Sequence, residues 1–172
     1  MAELLKAITL PGKGISRTLT CQVIQSPLSG VTDQVFRMLI RRWAPDALLF
    51  TEMVKASCLI KDNAHPKLKD LSIEQGPLGV QIFDKNPQEL INAAIKAEQA
   101  GAFLVDINMG CPVKKIAKKG GGSALLKNPK MAEEIVRKVS TAIKIPTTVK
   151  TRLGWSSSCA NPIQFALRMQ DA

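Results

Sequence analysis

A parallel α/β fold is what this sequence predicts, and three observations predict it. Short apolar runs that read as buried strands alternate five times with helical patterns along the 172 residues. Three of the helical patterns open on the same dipeptide, Asn86-Pro87, Asn128-Pro129 and Asn161-Pro162. No Asn-Gly or similar hairpin signal lies between the runs. Such alternation fits an open doubly wound sheet or part of a (β/α)8 barrel, and hydrophobic period does not choose between them.

Residues 1–20 are a lead-in with no clear period. Gln22–Ser26 reads as a first short strand, turned by Pro27-Leu28-Ser29-Gly30. Thr32 is a suitable N-cap for a helix from about Asp33, with Val35, Phe36, Leu39, Ile40 and Trp43 on one face. Ala47–Thr51 is the second strand and ends at Glu52. A polar stretch from Lys55 to Gln75 reads as a long loop with a short helix near Val54–Asp62. Leu78–Phe83 is the third strand. The helix Pro87–Ala100 is capped by Asn86, which accepts free N–H groups, while Pro87 sits where its missing donor costs nothing. Gly101 ends it. Phe103-Leu104-Val105 opens the fourth strand. Helix Pro129–Ile143 carries Met131, Ile135, Val136, Val139 and Ile143 on one stripe. Pro146–Thr151 is the fifth strand, and a last helix starts at Pro162.

The composition, 45% hydrophobic and 22% charged, supports one packed domain. The net charge of +10 favours a polyanionic partner, through phosphate neutralisation. Aromatic residues make up 4% and Tyr is absent, which argues against a stacking platform for single strands. Cys21, Cys58, Cys111 and Cys159 contain no CxxC pair, and His65 is the only histidine, so zinc-ligand spacing is absent. The four are expected to be reduced thiols in a cytoplasmic protein, with Cys21, Cys58 and Cys159 as packing residues. Glu3, Lys6 and Pro11 make the N-terminus a poor signal peptide, and no run approaches a membrane span.

The stretch Asp106-Ile107-Asn108-Met109-Gly110-Cys111-Pro112-Val113-Lys114-Lys115 organises the chain. It places Cys111 between two chain breakers just past a strand's carboxyl end, where sheets of βα units bind ligands. Lys114, Lys115, Lys118 and Lys119 follow, then Gly120-Gly121-Gly122-Ser123, which lacks GxGxxG spacing. A buried or idle cysteine before a solvated basic loop fits these residues as well.

Five stretches taken together resemble the tRNA-dihydrouridine synthases. They are Ser26-Pro27-Leu28-Ser29-Gly30-Val31-Thr32-Asp33, Val80-Gln81-Ile82, Asp106 to Pro112, Gly122-Ser123-Ala124-Leu125-Leu126, and Val149-Lys150-Thr151-Arg152-Leu153-Gly154-Trp155. The reading Asn-Met-Gly-Cys-Pro most resembles a bacterial branch. The resemblance implies a (β/α)8 barrel that uses FMN, reduced by NADPH, to convert uridine to dihydrouridine in tRNA. By the same resemblance Pro27, Leu28, Ser29, Gln81 and Lys150 contact the flavin, Cys111 is the catalytic proton donor and Asn108 touches the target uracil. Lys114 and Lys115, with Lys118 and Lys119, would hold the RNA backbone. The chemistry agrees: reducing the uracil C5=C6 bond requires an acid for C5, and a thiol of pKa about 8.5 is mostly protonated at neutral pH.

A complete barrel takes eight units and about 250 residues. The family's histidine motif after the sixth strand, its phosphate-holding glycine loops and its C-terminal helical domain find no counterpart here. Residues 1–172 are therefore expected to be the N-terminal portion of the catalytic domain, prone to self-association through unclosed edges. The alternatives are an FMN-dependent barrel acting on a small pyrimidine, and a non-catalytic basic α/β module that binds RNA.

Overall fold

The computed structural model describes residues 7–62 and 64–172. The readings of Glu3, Lys6 and the side chain of Cys159 lie outside the described residues. The chain opens with an antiparallel hairpin, β1 (Ile8–Leu10) against β2 (Arg17–Leu19). This corrects the featureless lead-in: a six-residue connection pairs the strands without an Asn-Gly turn.

A parallel sheet follows: β3 (Leu49–Phe50), β4 (Val54–Lys55), β5 (Leu78–Phe83), β6 (Leu104–Asn108) and β7 (Thr147–Lys150). Both β3 and β4 pair with β5, so the second strand, expected over Ala47–Thr51, shortens to β3, and β4 lies where the short helix was expected to begin. Beyond it, the expected first strand shrinks to a single parallel bridge, Ile24 with Leu48. The order β3-β5-β6-β7 follows the sequence, and every pair is parallel. A doubly wound sheet reverses its order after an early strand. This one does not, so its topology is that of a (β/α) barrel.

The helices are α1 (Gln34–Arg41), α2 (Ala56–Lys61), α3 (Pro66–Ile73), α4 (Pro87–Gln99), α5 (Lys114–Ala117), α6 (Pro129–Ala142) and α7 (Pro162–Gln170). Asn86, Asn128 and Asn161 cap α4, α6 and α7 as expected, accepting from the backbone of Gln88, Met131 and Gln164. α3 occupies what reads as loop. His65 caps it, its Nδ1 accepting from Lys67 N–H at 3.2 Å.

Strand parity divides the core. Val105, Ile107 and Met109 face α2, α4, α6 and α7 in the main apolar cluster. Leu104 faces the opposite way and packs with Leu19, Leu48 and Phe50. The hairpin thus fills the amino-terminal end of the sheet's inner face. Gly79 lies against that cluster, where a Cβ would come within 2.7 Å of the Phe50 ring.

The first helix departs most from expectation. Its N-cap is Asp33, accepting from Phe36 N–H at 2.9 Å. Thr32 instead closes the preceding turn, exchanging hydrogen bonds with the backbone of Leu28. Val35 is 74% exposed and Trp43 85%. The fully buried side chain of α1 is Arg37, ion-paired with Asp70 and Glu74 of the α3 segment. Cys58 is exposed, which corrects its reading as a packing residue, while Cys21 packs beside Ala47 and Leu49.

Candidate active site

Asp106 and Asn108 are two residues apart on β6, so both point to the inner face that carries Leu104. Register sets Gln81 of β5 beside Asp106 on one side, and Thr148 of β7 beside it on the other. Lys150 lies level with Asn108. A buried polar ladder results at the carboxyl ends of the strands. Thr148 donates its hydroxyl to Asp106 Oδ1 at 2.7 Å, and Gln81 Nε2 donates to Oδ2 at 2.6 Å. Asn108 Nδ2 donates to Gln81 Oε1 at 2.9 Å. Asn108 Oδ1 accepts the backbone N–H groups of Gly110 and Cys111, at 3.2 and 2.9 Å.

Cys111 is therefore held through its backbone. Its N–H goes to Asn108, and its carbonyl accepts from Ser123 N–H at 3.0 Å. Between these ties the chain makes the turn of α5 and returns through Gly122. That residue has a φ of +58°, and a Cβ on it would lie 2.8 Å from the Cys111 carbonyl oxygen. The loop closes only with glycine there. The thiol itself is half-buried.

Burial pushes the Asp106 carboxyl up to about 6, against the opposing pull of its hydrogen bonds from Gln81 and Thr148 and the charge of Lys150. At neutral pH it is mostly ionised. Lys150 is exposed at the end of β7.

The loop bearing Pro27, Leu28 and Ser29 follows the Ile24 bridge, at the same end of the sheet. Among the described residues no hydrogen bond joins it to Gln81, Asn108 or Cys111. Glu52, past β3, accepts from Gly30 N–H and pairs with Lys67. Those two hydrogen bonds, Lys67's foremost, hold its carboxyl below the usual range. Arg37 fixes the loop from behind by donating to the Thr32 carbonyl at 2.9 Å.

Lys114 and Lys115 are exposed on α5, a helical turn rather than the expected loop. Beside it opens a cavity of about 330 Å³ with an apolar floor of Phe83, Val113 and Ile116. Lys55, Lys85, Lys115 and Lys119 line it together with Asp84. Four lysines against one carboxylate leave a net positive lining that suits a phosphate-bearing ligand.

Sequence reasoning thus picked out Gln81, Asn108, Cys111 and Lys150, which the sheet brings together. It missed Asp106 as a member of the site, along with Thr148 and Arg37. A signal for Asp106 was present: two polar residues, at 106 and 108, alternate along an otherwise apolar strand.

Residues 24–172 match the family model of dihydrouridine synthase. The chain is 52% identical over 157 residues to a protein of Synechocystis sp. named probable tRNA-dihydrouridine synthase 1, covering 91% of this chain and 44% of that one. It is 38% identical over 151 residues to tRNA-dihydrouridine synthase B of Shewanella oneidensis (87% and 47%). With the Pseudomonas aeruginosa protein of the same name it shares 36% identity over 156 residues (90% and 47%). The chain spans somewhat under half the length of these curated relatives.

Proposed function

The chain belongs to the dihydrouridine synthase family, and on that premise we propose that it forms the N-terminal portion of a catalytic barrel reducing uridine to 5,6-dihydrouridine in tRNA. The observation that carries this reading is the inward ladder of Gln81, Asp106 and Asn108, which ends on the backbone of Cys111 at the carboxyl edge of a parallel sheet.

The donor set fits FMN. Each end of the Gln81 amide spends one hydrogen bond within the ladder. One N–H and one oxygen lone pair remain for the mixed edge of a flavin ring. Lys150 offers a fixed cation beside it, and Pro27, Leu28 and Ser29 a wall already braced by Arg37 and Glu52. FMN held there, replenished by NADPH, supplies hydride chemistry for C6 of the uracil. The protein's own part is to orient the base and deliver a proton to C5. Cys111 is the acid, and Asn108, buried beside it, orients the uracil. A target base stacked in folded tRNA must be extruded to reach them. Lys114 and Lys115, with the lysines around the α5 cavity, hold the phosphates while it is out. The four lysines around the α5 cavity favour RNA over a small pyrimidine as the substrate.

The test is Cys111→Ala in an active enzyme built on this chain. FMN retention should match the parent, and dihydrouridine formation, counted by nucleoside mass spectrometry, should fall roughly 10²-fold or more. Equal rates would remove Cys111 from the chemistry, and a parent lacking any flavin would leave only RNA binding.

A further inference from the structure

We infer that Asp106 is a positioning residue that completes, as terminal acceptor, the one-way run of hydrogen bonds leading to the Cys111 loop. The functional meaning rests on the role proposed for Cys111, whereas the ladder itself is fixed by donor and acceptor chemistry. The backbone N–H groups of Gly110 and Cys111 can only donate, so Asn108 must turn Oδ1 toward them. Its Nδ2 then faces Gln81, which can meet it only with Oε1. Gln81 is left with Nε2 toward β6, and only an acceptor can receive that. Asp106 Oδ2 is the acceptor. Flipping either amide would set N–H against N–H or oxygen against oxygen. The ladder has one sense, and Asp106 ends it.

The direction survives protonation. The second carboxyl oxygen faces Thr148, whose hydroxyl donates or accepts. A proton on Oδ1 turns to Thr148, and Oδ2 still accepts from Gln81. The charge of Lys150, which favours the ionised carboxylate, does not alter this. Asparagine at position 106 can do the same, with Oδ1 toward Gln81 and Nδ2 toward Thr148. Leucine cannot, because it leaves the buried Gln81 N–H unreceived and Gln81 free to turn. Asn108 then loses its fixed Gln81 partner, and its hold on the two loop amides is loosened. The bearing of the Cys111 thiol thus depends on a carboxyl that never touches it. The same ladder fixes the order in which Gln81 presents its remaining donor and acceptor to a ring.

Hydrogen–deuterium exchange on the 172-residue chain, resolved by mass spectrometry, tests this without flavin or tRNA. D106N should protect segment 109–113 as the parent does. D106L should exchange it roughly 10-fold faster, while strand segment 104–107 stays within about 2-fold of the parent. Alkylation of Cys111 by iodoacetamide, scaled to the exposed Cys58, should change in D106L and not in D106N. Should D106L fail to fold, Q81M breaks the ladder at its middle and should loosen 109–113 in the same way. Unchanged exchange at 109–113 in folded D106L or in Q81M overturns the inference. So does D106N behaving like D106L, since charge rather than direction would then matter. A failed synthase assay with this exchange pattern intact would overturn the proposed function alone.

Discussion

Lys150 and Asp106 sit on one inner face with opposite charges, and each makes a separate prediction. Lys150 is exposed and level with Asn108, so its charge is available to a bound ring. Lys150→Ala in an active enzyme should weaken FMN retention, measured by flavin release on gel filtration, and leave tRNA affinity near the parent's. Loss of tRNA affinity alone would move Lys150 to the RNA surface. Asp106 titrates near 6 when folded, against an ordinary 3.8. Below about pH 4 both folded and unfolded chains hold its proton, and burying the neutral carboxyl carries no charge penalty. As pH rises toward 6 the unfolded chain loses that proton first, so the contribution to stability falls through this window and levels above it. Asparagine has no such titration. Urea unfolding should show the stability of the parent relative to D106N declining from about pH 4 to 6 and flat beyond. A constant difference would mean the carboxyl is not buried as described.

At the scale of elements, the α5 turn and the loop after β5 act together. Gly120 and Gly121 bring the loop after α5 close to Lys85 and Asp84, which makes one cavity of two loops. Neutralising Lys115 and Lys119 to Gln should lower tRNA affinity and reduce the slope of log K against log salt by about one to two. An unchanged slope in a salt titration would return these lysines to the solvated surface. Helix α1 works differently. Val35, Met38 and Leu39 are exposed, Phe36 and Ile40 are half-buried, and Arg37 is buried among Thr32, Asp70 and Glu74. A buried arginine needs all of its partners, and here they tie the Pro27–Ser29 loop to α3.

Over the whole molecule, the described surface leaves Val35, Met38, Leu39 and Trp43 facing out together along and just past α1. β7 pairs on one side with β6, and at the other edge of the sheet the pairing thins to the Ile24 bridge. Apolar patches beyond a few hundred Å² and open strand edges lead to association. The 172-residue chain should sediment as oligomers at micromolar concentration, and L39S/W43S should shift it toward monomer. A monomeric parent in analytical ultracentrifugation would show that this face needs no cover.

The local physics was legible in the sequence. Asn-Pro caps, Gly101 and the apolar stripe of α6 fix helices α4, α6 and α7 because capping and amphipathic period act within a few residues. The strand Leu78–Phe83 was equally plain, the one expected over Pro146–Thr151 is a residue shorter at each end, and the breakers Gly110 and Pro112 marked the loop of Cys111. Three things were decided only in three dimensions. The sequential parallel order, and with it the barrel topology, depends on which strands pair, and period says nothing of pairing. The outward turn of α1 depends on Arg37 finding Asp70 and Glu74 more than 30 residues away. The role of Asp106 depends on β5 and β7 arriving on either side of it. A carboxylate in a strand is only an anomaly until its donors stand beside it, because hydrogen bonds have direction and the chain alone does not say what they will meet.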